Sequence, residues 1–393
     1  MEMNKKITLR QNEEDRINNG HMWVFSNEIK DIAGNPASGD VVEAHTSSGR
    51  LIGVGFYNPK SLIAFRLLSR ERVAIDVAFW KTKIANAFYY RKKIYPALES
   101  FRAVFGESDG LPGLIVDKYG DYLSVQMLSY GLETHRADIL DALNAVFSPK
   151  GIIARNDSGL RVLEGLEEKI ETVSGTIPEH VDIIENDIRF RINLMSGQKT
   201  GFFFDQRDNR MAVAPYCAGK TVLDCFAHTG AFSMYALRGG ATSVTAVDSS
   251  KLALDIASQN AVLNGFEKNF FTEQADAEKF MEEQSNSKTK YDVVVIDPPA
   301  LIKSKKNSQA GYRLYKKLNA LAMRLVSPGG IFVTSSCSHH LSPCDFRKMI
   351  EEAAAKTGRA CWLVENRTQS KDHPILLAMP ETEYLKMAII RMA

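Results

Sequence analysis

Long hydrophobic runs are missing from this 393-residue chain: no stretch reaches the roughly 18 apolar residues that a membrane-spanning helix needs. Its first residues, MEMNKKITLRQNEEDR, lack the apolar core of a secretory signal. The five cysteines are an odd number at wide spacings without a CxxC pair, which excludes a disulfide framework and zinc-finger spacing. These absences predict a reducing, cytoplasmic location, with no membrane partner and no metal.

A strong net charge is missing as well. The formal charge is +2, although 24% of the residues are charged. The molecule as a whole therefore has no field that would attract nucleic acid, and any such role must come from a local patch. The length predicts two or three domains.

Changes in sequence pattern divide the chain into three predicted domains. Short β-type runs broken by turn residues predict a small β-rich domain at 1–75. Residues 76–185 are predicted to form a small α+β domain, with a connecting helix at 76–95 and another near 132–146. At 186–393, apolar strands alternate with helical patterns, which predicts an α/β fold with a doubly wound, mostly parallel, Rossmann-like sheet. Its expected strands are 221–227, 243–250, 270–276, 291–299 and 329–337, with a last strand within 383–392 that could close the sheet edge.

Acidic residues end the first four of these strands. Ligands of doubly wound sheets bind at the carboxyl ends of strands, so these carboxylates are expected to meet in one cleft. The first turn has one glycine, Gly230, instead of GxGxxG, so it suits an adenosyl group better than a dinucleotide pyrophosphate. Asp248 is predicted to accept ribose hydroxyls, and Asp276 and Ala277 to bind adenine. The predicted cofactor-binding residues here are Asp224, Phe226, Ala227, Gly230, Asp248, Ser249, Asp276, Ala277, Asp297 and Pro298.

These strand-end motifs are similar, in order and spacing, to those of class I S-adenosylmethionine-dependent methyltransferases. The similarity implies S-adenosylmethionine as the cofactor. Acids also end strands in α/β proteins that bind no such ligand, so a structural role is the alternative interpretation. Four acids in register, with the DPP motif after the fourth strand, favour the cofactor site.

The fifth strand ends in SSCSHH, which should place Cys337 beside the strand that leads to Asp297. Methylating C5 of a pyrimidine requires a thiolate that adds to C6 and so makes C5 nucleophilic toward a sulfonium methyl group. A base must then remove the C5 proton. Cys337 is the predicted nucleophile, and Asp297 could remove the proton or hold the target base. His339 and His340 could serve as a base or contact phosphate, but a solvated loop is favoured. The other four cysteines are expected to have structural roles, with Cys225 packing or lining the cofactor site and Cys344 at a helix start.

Several longer blocks carry a family resemblance. They are GHMWVFSNEI (20–29), ESDGLPGLIVDKYGDYL (107–123), QKTGFFFDQRDNR (198–210), DCFAHTGAFS, DPP, SSCS and DHPILLAMPETEYLK (372–386). With these blocks, nearly the whole chain resembles the bacterial 23S ribosomal RNA large-subunit (cytosine-5) methyltransferases of the I type. Two features depart from that pattern: His339 and His340 follow SCS, and the segment after DPP is long and basic.

The resemblance carries implications for fold, substrate and site. It implies an N-terminal PUA-like β-barrel that binds RNA, and methylation of C5 of a cytosine in 23S rRNA. It implies that Cys337 is the nucleophile. It also implies that Phe204, Asp205 and Arg207 contact the cofactor, although from the residues alone a buried strand and helix start is an equally good interpretation of their block.

A basic segment follows the DPP motif. Residues 300–320 contain six basic residues and no acid, which suits a phosphate backbone. Tyr312 and Tyr315 could stack on bases. A solvated amphipathic helix with a flexible lead-in is an equally good interpretation. The predicted RNA-binding residues are Lys303, Lys305, Lys306 and Arg313.

Other functions remain open at this point. An enzyme that methylates a purine amino group often has an aromatic residue after its D/N-P-P motif, whereas Ala300 and Leu301 follow here. Uridine C5 methylation uses the same cysteine chemistry. A non-catalytic ribosome-assembly factor would have no cofactor affinity. Exposed strand edges would allow a homodimer.

Overall fold

The computed structural model describes residues 4–393, which form two compact units. The first unit extends to Ile183 and includes two later segments, Ile192–Phe204 and Asp372–Thr382. The second unit consists of Ile184–Arg191, Asp205–Lys371 and Glu383–Ala393. The division into domains at 1–75, 76–185 and 186–393 stays a prediction.

The first unit begins with a six-stranded sheet and one short helix, α1 (Asp15–Asn18). Its strands are β1 (Lys6–Leu9), β2 (Trp23–Val24), β3 (Ile29–Ala33), β4 (Val41–His45), β5 (Leu51–Tyr57) and β6 (Phe65–Ser69), in the order β2-β6-β5-β4-β1-β3. Apolar side chains such as Ile7, Val42 and Phe65 fill its core. The β-rich character expected for this region is confirmed.

A five-stranded sheet follows in the same unit. The helix α2 (Val77–Ile94) begins where the Asp76 carboxylate accepts a hydrogen bond from the Phe79 N–H at 2.9 Å. It buries Trp80 and Ile84, which lie on one helix face. The sheet has the order β11-β10-β9-β8-β7 and consists of β7 (Ser100–Phe105), β8 (Leu114–Tyr119), β9 (Tyr122–Met127), β10 (Gly151–Asn156) and β11 (Lys169–Gly175). The helices near it are α3 (Tyr130–Thr134), α4 (Arg136–Phe147) and α5 (Gly159–Leu163), so the helix expected at 132–146 is divided at His135.

The second unit contains a seven-stranded sheet with helices between its strands. A two-stranded sheet, β12 (Val181–Glu185) and β13 (Ile188–Ile192), and the helix α6 (Arg207–Val213) precede it. The strands are β14 (Thr221–Cys225), β15 (Ser243–Asp248), β16 (Phe270–Gln274), β17 (Tyr291–Ile296), β18 (Val326–Ser336), β19 (Cys361–Arg367) and β20 (Lys386–Met392). The helices are α7 (Ala231–Arg238), α8 (Lys251–Leu263), α9 (Ala277–Asn286), α10 (Ser308–Leu325) and α11 (Pro343–Ala355).

The strand order in this sheet is β16-β15-β14-β17-β18-β20-β19. The first five strands in this order are parallel, and the order reverses between β14 and β17. That arrangement confirms the α/β, doubly wound, mostly parallel class. Side chains such as Val294 and Phe332 are fully buried in its core, as expected for strands covered on both faces. Within residues 4–393, no helix combines the length and apolarity needed to cross a bilayer.

The last strand does not lie where the sequence predicted. We expected the strand within 383–392 to close the sheet edge, but β20 lies between β18 and β19 and is antiparallel to both. The strand at this edge is β19, which sequence analysis did not predict. Its sequence, CWLVENR, does not alternate apolar and polar residues, so the pattern of a half-buried strand is missing.

Candidate cofactor and catalytic site

Strand register places the predicted site residues at one edge of the sheet. Cys225, the last residue of β14, pairs with Val247 of β15 and Ile296 of β17. Asp248 and Asp297 each follow those partners by one residue. Both carboxylates therefore lie at the reversal of strand order, where open α/β sheets bind ligands.

The loop after β14 has an unusual backbone. Phe226, His228 and Gly230 have positive φ angles of 63°, 50° and 76°. Such angles cost a non-glycine residue on the order of 1–3 kcal/mol and are concentrated at functional sites. At Gly230, an added Cβ would lie 3.0 Å from Cβ of Ala257, so only glycine combines this turn with close helix packing. The loop is fixed in part by the Ala227 N–H, which donates to the Val247 carbonyl at 3.1 Å.

Asp248 connects this loop to the loop after β15. Its carboxylate accepts hydrogen bonds from the His228 N–H and the Ser250 N–H, both at 2.9 Å. The side chain is half-buried and the neighbouring Ser249 is exposed. Because each carboxylate oxygen has two lone pairs, acceptor capacity remains for ribose hydroxyls.

Asp224 is buried beneath the same loop. Its Oδ2 accepts from the Ser233 N–H at 3.0 Å and from the Ser233 hydroxyl at 2.7 Å, which holds the first turns of α7. Burial, reinforced by the negative charges of Asp297 and Asp248, raises the pKa of Asp224 to about 7. Three carboxylates therefore act on one another here. Because S-adenosylmethionine has sulfonium and ammonium cations, this group of acidic side chains fits it.

The predicted adenine-binding residues, Asp276 and Ala277, lie just after β16. Asp276 is exposed, and its Oδ1 accepts from the Lys279 N–H at 3.0 Å, which caps α9. Ala277 is buried at the first position of that helix. Binding of adenine by these two residues stays a prediction.

The KTGFFFDQR block continues into the second unit with buried polar contacts. Asp205 accepts a hydrogen bond from the Tyr384 hydroxyl at 2.6 Å. Arg207 is fully buried and pairs with Glu185 at 2.8 Å. These contacts give both side chains structural roles, and their contact with the cofactor stays a prediction.

Phe204 belongs to the first unit. Its ring lies 5.1 Å from the ring of Tyr119 and 5.4 Å from that of Phe202, and it is almost fully buried. The Tyr119 hydroxyl also accepts from the Phe202 N–H at 2.8 Å. The cofactor contact predicted for Phe204 stays a prediction.

Sequence reasoning missed Gln206, whose side chain meets the DPP motif. Its Nε2 donates to Oδ2 of Asp297 at 3.0 Å, while its Oε1 accepts from Nδ2 of Asn209 at 2.6 Å. Asp297 is half-buried and Pro298 is buried. The one available signal was the position of Gln206 inside the QKTGFFFDQRDNR block, which carries the family resemblance. Gln206 therefore orients the carboxylate predicted to be catalytic.

Cys337 follows β18, the neighbour of β17, and is half-buried. The next residue, Ser338, is fully buried, and its hydroxyl contacts the Tyr315 hydroxyl at 2.9 Å and accepts from the Ile302 N–H at 3.1 Å. These bonds fix the turn after Cys337 against the segment that follows DPP. The cysteine thus lies at the same sheet edge as Asp297.

The remaining cysteines differ in their surroundings, and all five are free thiols. Burial raises the pKa of Cys217 to about 12, that of Cys225 well above its usual range, and that of Cys361 less strongly. A raised pKa disfavours the nucleophilic thiolate. Cys344 is exposed near the start of α11. Packing roles fit Cys217 and Cys225, which are buried, and Cys361, which is partly buried.

The basic segment divides into paired and unpaired cations. Lys316 pairs with Glu352 at 2.8 Å, and Lys317 pairs with Glu278 and Glu282. The four predicted RNA-binding residues are exposed and have no ion pair among residues 4–393. They are Lys303, Lys305, Lys306 and Arg313.

The two tyrosines of this segment have different surroundings. Tyr315 is fully buried, so the prediction that it stacks on bases is wrong: its ring belongs to the core. Tyr312 is half-exposed and lines a cavity of about 390 Å³ with Arg313 of α10 and with His340 and Leu341 from the turn after Cys337. The structure therefore brings Arg313 and His340 together. His339 is exposed, and its ring centroid lies 5.5 Å from that of Tyr384.

In the described chain, residues 4–393, no group of three or more His, Cys, Asp or Glu side chains is arranged to hold a metal.

Comparisons with known structures agree with this fold. A Streptococcus mutans protein described as a SAM-dependent methyltransferase superposes with a TM-score of 0.85 at 22% identity, covering 98% of this chain and 99% of that chain. A methyltransferase solved in complex with SAH gives the same values. At this identity the likeness shows the fold alone.

Comparisons of sequence are more specific. The family model for S-adenosylmethionine-dependent methyltransferases matches residues 162–378, and the model for PUA-like domains matches residues 7–70. The ribosomal RNA large subunit methyltransferase I of Aeromonas salmonicida is 39% identical, covering 98% of each chain. The protein of that name from Vibrio cholerae gives the same identity and coverage. The chain therefore belongs to the ribosomal RNA large subunit methyltransferase I family, with a PUA-like domain and an S-adenosylmethionine-dependent methyltransferase domain.

Proposed function

We propose that this protein methylates C5 of a cytosine in 23S rRNA, using S-adenosylmethionine and a covalent bond to Cys337. Family membership supports methylation of ribosomal RNA. The observation that carries the finer proposal is the position of Cys337. This half-buried cysteine follows β18, the strand adjacent to the one that leads into Asp297.

The cofactor is assigned to the carboxyl edge of β14, β15 and β17. When bound, S-adenosylmethionine supplies the methyl group. Asp248 is placed to accept ribose hydroxyls, because two loop N–H groups already orient its carboxylate. The negative charges of Asp248 and Asp297, which raise the pKa of Asp224, favour a cationic ligand. The positive-φ loop at Phe226 shapes this edge.

The residues of the chain then act on the pyrimidine ring. The Cys337 thiolate forms a bond to C6, and the electron pair of the C5–C6 double bond makes C5 nucleophilic. After C5 has gained the methyl group, a base takes the C5 proton, the double bond forms again and the thiolate leaves. Asp297, oriented by Gln206, is the proposed group for that proton or for holding the base. A base must leave its stack to reach Cys337, so an unstacked nucleotide is the expected substrate.

The RNA backbone is assigned to the unpaired cations after the DPP motif. Lys303, Lys305, Lys306 and Arg313 are exposed, and Arg313 lines the cavity that His340 and Leu341 also line. His340 and Leu341 follow Cys337 closely in the sequence, so phosphate contacts at this cavity would hold RNA near the nucleophile. The PUA-like match at residues 7–70 supports a second RNA contact.

The experiment that tests this proposal identifies the product. Unmodified 23S rRNA and isotopically labelled S-adenosylmethionine are incubated with the protein, and the labelled nucleoside is identified by mass spectrometry after digestion. The expected result is 5-methylcytidine, abolished in Cys337→Ala and retained in Cys344→Ala, whose cysteine is exposed nearby. Labelled 5-methyluridine or an N-methylated purine, or full labelling in Cys337→Ala, would reject the proposal.

A further inference from the structure

A buried lysine lies on β20, the strand that pairs with the end of β18 just before Cys337. Lys386 begins β20 and pairs in register with Ser336, the residue before Cys337. Its ammonium donates hydrogen bonds to the carbonyl of Ser338, the residue after Cys337, at 2.7 Å and to the carbonyl of Tyr384 at 2.9 Å. The backbone and the side chain of Lys386 thus contact the residues on both sides of the cysteine.

Burying the charged side chain of Lys386 costs free energy of folding, which indicates that the lysine has a role at this position. The residue is 4% exposed, and lysines are rarely buried to this degree without a compensating partner. Burial lowers the pKa of Lys386 to about 8, and the negative charges of Cys337 and Glu383 oppose that shift. The lysine is therefore still mostly protonated at neutral pH, and the charge interaction with Cys337 is reciprocal.

Other ionisable groups surround the pair. Tyr315 of α10 interacts electrostatically with Cys337, and its hydroxyl contacts the Ser338 hydroxyl. On the β20 side, Tyr384 bonds to Asp205, and His339 lies against the Tyr384 ring. Asp297 lies at the end of the adjacent strand β17. Lys386 is the residue of β20 that pairs with Ser336, which directly precedes Cys337.

We propose that Lys386 is a positioning residue that favours the thiolate of Cys337, through a buried ammonium bonded to the carbonyl of the next residue, Ser338, and by fixing the turn on both sides of the cysteine. The catalytic meaning of this role rests on the proposed function, in which the thiolate attacks C6. The charge effect on the thiol does not depend on it. Lys386 forms no bond to the substrate in this role.

The test measures the pH dependence of thiol alkylation in the full-length protein. Iodoacetamide modifies thiolates, so the midpoint of the rate against pH reports when each cysteine ionises. Cys344 is the internal reference, because it is exposed in the same molecule. Both cysteines lie on the tryptic peptide 325–347, so fragment ions must locate each adduct.

The variants separate charge from structure. Lys386→Met should slow alkylation of Cys337 at neutral pH by about tenfold, the effect of one pKa unit on the thiolate fraction, and should move its midpoint to higher pH. Lys386→Arg, which keeps the charge, should move the midpoint much less. Alkylation of Cys344 should stay unchanged in both variants. An unchanged Cys337 midpoint in Lys386→Met would overturn the proposal.

Wild-type protein gives a second test if Lys386→Met does not fold. The Cys337 midpoint should lie at lower pH than that of Cys344, and a midpoint at the same or higher pH would overturn the proposal. Failure of the proposed function has a different signature. In that case Cys337→Ala would still methylate RNA, while the alkylation midpoints would still show the charge effect of Lys386.

Discussion

The side-chain amide of Gln206 donates a hydrogen bond to the Asp297 carboxylate at 3.0 Å, and thereby connects the DQR sequence to the DPP motif. Asn209 orients Gln206 in turn, through a 2.6 Å bond to its carbonyl oxygen. Asp297 is thus connected to Asn209 through the side chain of Gln206. Because an amide donor is neutral, this hydrogen bond orients the carboxylate without adding an opposite charge.

Replacing Gln206 should impair catalysis more than folding. Gln206→Ala removes one hydrogen bond to a charged group, which contributes about 1.5–3 kcal/mol, so we expect kcat to fall at least about tenfold. Gln284→Ala, in the last turn of α9, is the control and should keep wild-type kcat. Steady-state methyl transfer to RNA measures both. Equal kcat values for the two variants would show that Gln206 does not orient Asp297.

Asp224 should make stability depend on pH. Burial, with the charges of Asp297 and Asp248, raises its pKa to about 7 in the folded protein, whereas an unfolded aspartate titrates near about 3.9. The folded state therefore binds more protons between about pH 4 and pH 7, and this carboxyl makes the free energy of unfolding fall as pH rises through that window.

Asp224→Asn cannot ionise, so its stability relative to wild type should rise across the same window, by on the order of 2–4 kcal/mol. The side-chain carbonyl of the introduced asparagine could still accept from Ser233. Chemical denaturation at several pH values measures the difference. Parallel stability curves for the two proteins would contradict the assigned burial effect.

The unpaired lysines should contribute to RNA affinity by neutralising phosphates. Changing Lys303, Lys305 and Lys306 to Ala should weaken binding and reduce the slope of log affinity against log salt by about 0.7–0.9 for each phosphate that is no longer neutralised. Lys317→Ala is the matched control, because its ammonium is already paired with Glu278 and Glu282. Filter binding across a salt series would detect both effects. An unaltered slope in the triple variant would refute the RNA role of this segment.

Glu185 should be a strong determinant of stability in the second unit. Its carboxylate pairs with Arg207 at 2.8 Å and Arg210 at 2.6 Å, and all three side chains are buried. Glu185→Ala leaves two buried cations, so we expect the free energy of unfolding to fall by about 3–5 kcal/mol. Asp187→Asn removes the charge of an exposed ion pair with Arg238, suits the positive φ of 64° at this position and should cost at most about 1 kcal/mol. Similar decreases in the two variants would contradict this assignment.

The sequence predicted those parts of the site that depend on local pattern. Asp248 and Asp297 each follow an apolar strand, and parallel strands align their carboxyl ends, so their position followed from strand order alone. Cys337 was placed by the same reasoning. The doubly wound class followed from the alternation of strands and helices.

Non-local pairing explains what the sequence did not predict. Lys386 meets the turn around Cys337 only because β20 inserts between β18 and β19, an order that no local pattern encodes. Tyr315 lies in a basic segment, yet helical periodicity turns it into the core. The positive φ angles of Phe226 and His228 occur at residue types that rarely adopt them.

Trapping of the covalent intermediate tests the central claim most directly. An RNA substrate with 5-fluorocytidine at the target position has no C5 proton to remove, so the bond between Cys337 and C6 should persist. We predict a protein–RNA complex that survives denaturing electrophoresis, requires S-adenosylmethionine, forms with Cys344→Ala and is absent with Cys337→Ala. A stable complex in Cys337→Ala, or none with wild-type protein that methylates the unmodified RNA, would contradict the covalent role of Cys337.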